Sequence, residues 1–171
     1  ARLFNAVVAS GIDAREWAEP FDTVSICFSK GLGAPVGSAL AGSEPLIRAA
    51  RRQRKVLGGG MRQAGIIAAG ALYALENHVE RLVQDHANAQ ILADYIRDTH
   101  GLTLSQEQVD TNIVFFDVDP QLGTASELIE RLREQGVLML AETHRRIRAL
   151  THLDLSTDDV HRAGEILSRS A

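Results

Sequence analysis

An apolar run that ends in a lysine and closely spaced glycines constrains the fold of this chain most. Residues 23–28 (Thr-Val-Ser-Ile-Cys-Phe) are β-branched or aromatic and almost continuously apolar, which predicts a buried strand. Residues 29–38 (Ser-Lys-Gly-Leu-Gly-Ala-Pro-Val-Gly-Ser) then predict a glycine-rich loop that leads into a second short strand over residues 38–41. Lys30 therefore follows a rigid element on a short connection.

Lys30 is the side chain that is most informative about chemistry. Glycines at 31, 33 and 37 allow a flat ligand to approach the backbone closely. An amine in a partly desolvated site loses its proton more readily and can then form an imine with a carbonyl. From the loop alone, a surface lysine in a flexible loop is an equally good interpretation, and phosphate binding also fits. The spacing does not match a Walker A motif.

Composition indicates a folded protein of one domain, or of one domain plus part of another. Of the 171 residues, 45% are hydrophobic and 23% are charged, and the formal net charge is −4. This mild acidity disfavours nucleic acid as the main partner, and no apolar run is long enough to predict a membrane span. The single cysteine, Cys27, cannot form an internal disulfide, so we expect a cytoplasmic location. No His/Cys/Asp spacing indicates a metal site.

The remaining pattern predicts several helices and then a small α+β unit. Helices are expected over residues 1–9, 14–18, 44–56, 62–76, 78–99, 124–135 and 156–170, and strands over 111–118, 137–141 and 147–152. The helix over 62–76 is rich in small residues, so we expect it to be buried against other helices or a neighbouring subunit. Residues 124–127 match a capping box. The natural division between two domains lies along the helix expected over residues 78–99, near Gly101.

Four segments, in the same order along the chain, resemble the threonine aldolases. They are residues 22–38 around Lys30, residues 1–6 (Ala-Arg-Leu-Phe-Asn-Ala), residues 54–63 (Arg-Lys-Val-Leu-Gly-Gly-Gly-Met-Arg-Gln) and residues 148–154 (Arg-Ala-Leu-Thr-His-Leu-Asp). That family consists of fold-type-I enzymes that depend on pyridoxal phosphate (PLP), among the β-eliminating lyases. The resemblance implies an α/β fold, with part of the large PLP-binding domain in residues 1–100 and a small α+β domain in residues 101–171.

The resemblance also implies an activity and roles for cationic side chains. The activity is the cleavage of threonine, allo-threonine and similar β-hydroxy amino acids to glycine and an aldehyde. Lys30 would hold PLP covalently, and Arg2 would lie beside the cofactor ring. Lys55 and Arg62 would reach toward the PLP phosphate or the substrate of a neighbouring subunit, which implies a homodimer or homotetramer with shared sites.

Arg148 would bind the substrate α-carboxylate. A guanidinium fork suits this task because it can bind both carboxylate oxygens in one plane. Arg145 and Arg146 lie close by and are interpreted as surface charges. His152 is interpreted as a structural histidine, and the other five are interpreted as surface residues: His78, His86, His100, His144 and His161.

Two alternatives to the aldolase hypothesis stay open at this point. One is another fold-type-I lyase that cleaves aromatic amino acids by β-elimination, and the other is a catalytically silent domain that only binds or assembles. By resemblance, the chain starts directly after a family Asp-Gly pair whose aspartate holds the pyridine nitrogen of PLP. We therefore expect residues 1–171 to lack part of the active site.

Overall fold

The computed structural model describes residues 2–171, and the chain divides into two compact units, one up to residue 82 and one from residue 83 onward. The first unit contains α1 (Leu3–Ser10), α2 (Ala14–Ala18), β1 (Thr23–Cys27), β2 (Ser38–Gly42), α3 (Glu44–Val56) and α4 (Gly65–Asn77). From the boundary onward follow α5 (Leu82–Asp98), β3 (Leu102–Leu104), β4 (Ile113–Val118), α6 (Ala125–Glu134), β5 (Leu140–Ala141), β6 (Arg146–Leu150) and α7 (Thr157–Ser170). No helix within residues 2–171 is long and apolar enough to cross a membrane.

In the first unit, β1 and β2 form an antiparallel hairpin in which Thr23 lies opposite Gly42 and Cys27 lies opposite Ser38. This confirms both strands. The prediction that β1 is buried is wrong within the part of the chain that the structure describes, because its side chains are exposed or half-buried and those of β2 are all exposed. The physical reason is that β1 has only β2 as a neighbouring strand in this sheet. A strand is buried only when other elements cover both faces of its sheet, and this two-stranded sheet is not covered in that way.

The apolar centre of the first unit lies between α4 and the loop that joins β1 to β2. Leu32, Ala34, Ala74 and Leu82 are buried there. Only Ala71 and Ala74 of α4 are buried, whereas Ile66 is 88% exposed. Within residues 2–171, the expected burial of this small-residue helix against other helices therefore holds for one edge of α4 only; burial against a neighbouring subunit stays a prediction.

The second unit is an α+β structure, as the sequence predicts. Its antiparallel sheet has the strand order β3-β4-β6-β5, and one sheet face carries the core. Val114, Phe116 and Val118 alternate along β4 and are at most 1% exposed, as expected for a strand with one buried face. Strand β3 was not predicted.

Helix α5 packs into the core of the second unit through Ala89, Leu92, Ala93 and Ile96. From the sequence, the division is expected along this helix, near Gly101, with the helix counted in the first domain. In the structure the division lies at the start of the helix, between residues 82 and 83, so nearly all of α5 belongs to the second unit. An amphipathic pattern shows that a helix has an apolar face but does not show which domain covers it.

The capping box predicted at Thr124 is confirmed. The Glu127 backbone N–H donates to Thr124 Oγ1 at 3.2 Å, and the Thr124 backbone N–H donates to Glu127 Oε2 at 2.7 Å. A second box, between Ser156 and Asp159, begins α7. These caps fix where the two helices that cover the sheet begin.

Replacing Gly164 with alanine is expected to destabilise the second unit by about 1–2 kcal/mol. A Cβ built on Gly164 would overlap the ring of Tyr95, and overpacking of this kind costs more than the helix propensity that alanine contributes. Gly65→Ala is the matched control, because a Cβ there meets nothing within 4 Å. Urea unfolding of the intact protein measures both. Equal urea midpoints for Gly164→Ala and Gly65→Ala would contradict the expected destabilisation at Gly164.

Candidate active site

Lys30 lies in a tight turn directly after β1. The Gly33 N–H donates to the Lys30 carbonyl oxygen at 2.8 Å, which closes the turn over residues 30–33. The Ala34 N–H donates to the Phe28 carbonyl oxygen at 3.0 Å, which ties the two sides of the loop together. Gly33 has a φ of +69°, a left-handed conformation that favours glycine. The backbone of Lys30 is therefore held while its side chain is exposed to solvent.

The two residues that follow Lys30 anchor the turn over residues 30–33, called the lysine turn below, on the first unit. Leu32 is 3% exposed and belongs to the buried apolar cluster. Gly31 is also buried, and a Cβ at this position would lie 2.8 Å from Asn5 Oδ1. A side chain at position 31 would therefore require the buried Asn5 side chain to shift. The exposed amine of Lys30 consequently stands on a backbone that packs against two other elements.

His78 also holds the lysine turn, and its interpretation as a surface residue is wrong. Its ring is half-buried, and Nδ1 lies 2.6 Å from the Leu32 carbonyl oxygen. The two residues are 46 positions apart in the chain, so no local sequence pattern could have predicted this hydrogen bond. The buried position of Asn5 beside Gly31 was missed for the same reason.

Arg2 lies close to the lysine turn. It is the N-cap residue of α1, and it lines one small crevice together with Cys27, Gly31 and Leu32. The structure thus places Arg2 close to the turn that carries Lys30 in the first unit.

Lys55 and Arg62 flank the glycine triplet between α3 and α4. Lys55 lies in the last turn of α3, and its stem runs past Gly60, where a Cβ would lie 3.0 Å from Lys55 Cδ. Both side chains are exposed, and neither makes a hydrogen bond or ion pair with any residue from 2 to 171. They are cations on a surface connection, and no contact in the described chain joins them to Lys30.

Arg148 lies on the open face of the sheet in the second unit. Its neighbours across the strands are Phe115 of β4 and Leu140 of β5. The residues on either side of Arg148, Ile147 and Ala149, point into the core and are at most 4% exposed. Arg148 is half-buried and forms no ion pair with the part of the chain that the structure describes.

The two neighbouring arginines are already engaged. Arg146 Nε and Nη2 donate to the two carboxylate oxygens of Asp117, each at 3.0 Å. Arg145 Nε donates to the Val118 carbonyl oxygen at 2.9 Å. Their interpretation as plain surface charges therefore misses these contacts. Arg148 is the member of this arginine group whose guanidinium remains available for a ligand within residues 2–171.

The hydrogen bonds from Arg146 hold the pKa of Asp117 below its ordinary value. A carboxyl group with a lowered pKa in the folded state stabilises the fold above the pKa of the unfolded chain, and this contribution is lost as the pH falls through the folded pKa. Because the Asp117 side chain is 37% exposed, we expect the effect to stay below about 1 kcal/mol.

Arg146→Met is therefore expected to raise the pKa of Asp117 toward its ordinary value and to weaken the acid dependence of stability. An NMR titration of the Asp117 carboxyl carbon measures the pKa, and denaturant unfolding between about pH 3 and 7 measures stability. An Asp117 pKa that does not change in the variant would show that Arg146 is not its cause.

Comparisons with solved structures define the fold. A threonine aldolase of Leishmania major superposes with a TM-score of 0.77 at 20% identity, and covers all of this chain and 50% of its own. An ornithine δ-aminotransferase of Plasmodium falciparum superposes with a TM-score of 0.65 at 14% identity, and covers 98% of this chain and 43% of its own. The fold is that of the PLP-dependent fold-type-I enzymes, which confirms the predicted fold class.

Sequence comparisons define the family more closely. The beta-eliminating lyase profile matches residues 1–119, and the chain belongs to this family. Low-specificity L-threonine aldolase 1 of Arabidopsis thaliana is 42% identical over 162 residues, which cover 94% of this chain and 45% of the relative. Low specificity L-threonine aldolase of Escherichia coli K12 is 44% identical over 160 residues, which cover 94% of this chain and 46% of the relative. The chain thus spans a little under half the length of these relatives, and the predicted resemblance to threonine aldolases is confirmed.

Proposed function

We propose that this chain supplies the lysine-bearing part of a PLP-dependent active site that cleaves threonine and related β-hydroxy amino acids to glycine and an aldehyde. The observation that carries this proposal is Lys30, an exposed amine on a turn whose backbone is hydrogen-bonded and packed in place. The similarity to low-specificity L-threonine aldolases supports the choice of reaction.

The residues present fit PLP chemically. The aldehyde group of PLP reacts with a primary amine. The Lys30 side chain is such an amine, and it forms no ion pair within the part of the chain that the structure describes. PLP also carries a flat ring, and Arg2, which lines a crevice beside the turn, would lie next to that ring. When it is bound, PLP supplies an electron sink for the bond that breaks at the amino-acid α-carbon.

Arg148 would hold the substrate rather than the cofactor. Its guanidinium can donate two parallel hydrogen bonds to an α-carboxylate. Phe115 and Leu140 are its neighbours across the strands, so the guanidinium has apolar neighbours and no carboxylate opposite it in the sheet. Binding the carboxylate would fix the orientation of the amino acid, so that the bond between its α- and β-carbons is presented for cleavage.

The proposed assembly is a homodimer or homotetramer with shared sites. Lys55 and Arg62 have no partner among residues 2–171, and a phosphate or carboxylate in a neighbouring subunit would provide one. Exposed apolar residues on the helix that follows Arg62 support a subunit contact: Ile66, Leu72 and Tyr73 of α4 are 56–88% exposed. We further propose a cytoplasmic location, in accordance with the single cysteine.

Reduction and product assays test the proposed function. The intact protein is incubated with PLP and treated with borohydride, and its peptides are mapped by mass spectrometry. Lys30 and Lys55 are the two lysines of this chain, so the map distinguishes them directly. We expect the reduced cofactor on Lys30. Absence of any adduct in a folded protein would favour the silent assembly domain.

A second candidate function is β-elimination, which the name of the matching family favours. Incubating the PLP-loaded protein with L-threonine and, separately, with L-tyrosine separates the two reactions. Glycine and acetaldehyde from threonine support the aldolase. Ammonia release from tyrosine, without glycine formation from threonine, would replace it by a β-eliminating lyase.

A further inference from the structure

We propose that His78 is a positioning residue for Lys30, an inference that rests on the proposed function of that lysine. His78 follows α4, far from Lys30 in sequence. Its Nδ1 lies 2.6 Å from the carbonyl oxygen of Leu32, two residues after the lysine. A carbonyl oxygen can only accept, so Nδ1 carries the hydrogen and donates it.

His78 is itself held at the end of α4. Its backbone N–H donates to the Ala74 carbonyl oxygen at 2.9 Å, and its ring meets that of Tyr73 edge-on, with centroids 5.4 Å apart. Gly70, one helical turn earlier than Ala74, lies against Pro35 of the same loop, where a Cβ would come within 3.3 Å of the proline ring. The histidine donor is therefore presented from a helix that already packs against the loop.

The hydrogen bond from His78 acts on the peptide unit that closes the lysine turn. The Leu32 carbonyl and the Gly33 N–H belong to the same planar unit. The N–H donates to the Lys30 carbonyl oxygen at 2.8 Å, while the carbonyl accepts from His78 on the other side. Rotation of this unit would break both bonds together. His78 thus fixes the plane whose N–H holds the backbone of Lys30.

This arrangement predicts that His78 affects the rate of catalysis through the backbone of Lys30, without touching the substrate or the cofactor. The direction of the Lys30 side chain depends on its backbone, and a misplacement of about 1 Å in a reacting group can cost on the order of 10²-fold in rate. Loss of the His78 donor should therefore lower kcat more than it raises KM.

The test compares His78→Asn with His78→Leu in the intact protein. Asparagine has an N–H donor at the position of Nδ1, whereas leucine has a similar branched shape and no donor. For His78→Leu we expect amide hydrogen exchange at Gly33 to become roughly tenfold faster, and kcat to fall roughly tenfold with KM for threonine changed by less than about twofold. His78→Asn should restore both values to within about threefold of the unaltered protein.

His161→Leu is the matched control. His161 has a comparable set of contacts in the second unit, with Nδ1 3.3 Å from the Tyr95 hydroxyl and an edge-on ring contact at 5.9 Å. The His161→Leu variant should leave the rate of amide hydrogen exchange at Gly33 and the kcat for threonine unchanged. His78→Ala, which also lacks the donor, replaces the leucine variant if that protein does not fold.

Equal behaviour of the asparagine and leucine variants would overturn the proposal, because packing alone would then explain the loss. Unchanged exchange at Gly33 in the leucine variant would overturn it as well. Exchange is measured without the cofactor, so it reports on His78 independently of the chemistry. A missing adduct at Lys30 in the unaltered protein would instead overturn the proposed function.

Discussion

Lys30→Ala is expected to abolish covalent attachment of PLP to this chain and to lower kcat for threonine cleavage by a factor on the order of 10³ or more. The amine is the group that reacts with the cofactor aldehyde in the proposed mechanism, and removal of a covalent catalyst generally costs at least this much. Borohydride reduction followed by peptide mapping, together with a glycine assay, measures both effects.

The fold should survive this substitution. The Lys30 side chain is exposed, and only its backbone takes part in the turn, so the free energy of unfolding is expected to change by less than about 0.5 kcal/mol. Lys55→Ala is the matched comparison, since Lys55 is the other lysine of the chain and is equally exposed. It should retain the adduct on Lys30 and show weaker PLP binding. An adduct that persists in Lys30→Ala and disappears in Lys55→Ala would reverse the two assignments.

The lysine turn illustrates what local sequence could predict in this protein. The apolar run, the glycines and Pro35 together predicted two strands with a loop between them, and both strands exist. Turn chemistry and capping depend on residues a few positions apart, which is why the Thr124 cap was also predicted correctly. The burial of β1 could not be predicted in this way, because burial depends on which other elements cover a strand.

The three arginines at the start of β6, one of which (Arg145) directly precedes the strand, show why the candidate site could not be predicted from the sequence alone. Three arginines within four residues are chemically equivalent in the sequence, and the resemblance alone favoured Arg148. Strand pairing decides their surroundings: β4 places Asp117 opposite Arg146 and Phe115 opposite Arg148. Asp117 and Arg146 are 29 positions apart, so their ion pair is a consequence of sheet register and not of any local motif.

Arg148→Met is expected to lower kcat/KM for threonine by roughly 10- to 100-fold, mainly through a higher KM. A charge-assisted hydrogen-bonded pair contributes about 1.5–3 kcal/mol, and methionine keeps the length of the side chain while removing the guanidinium. Arg148→Lys should recover only part of the loss, because an ammonium group cannot form the two parallel hydrogen bonds of the fork. Steady-state kinetics with threonine measures these effects.

Arg146→Met is the matched control for Arg148, since it removes the same group two residues away on the same face of β6. Arg146 is already paired with Asp117, so its loss should change the pKa of Asp117 and leave KM within about twofold. A second control uses 1-aminopropan-2-ol, an analogue of threonine without the carboxylate. Because Arg148 acts on the carboxylate, its removal should not change the affinity for this amine. An equal loss of affinity for the amine and for threonine would contradict carboxylate binding and assign Arg148 a structural role on the sheet.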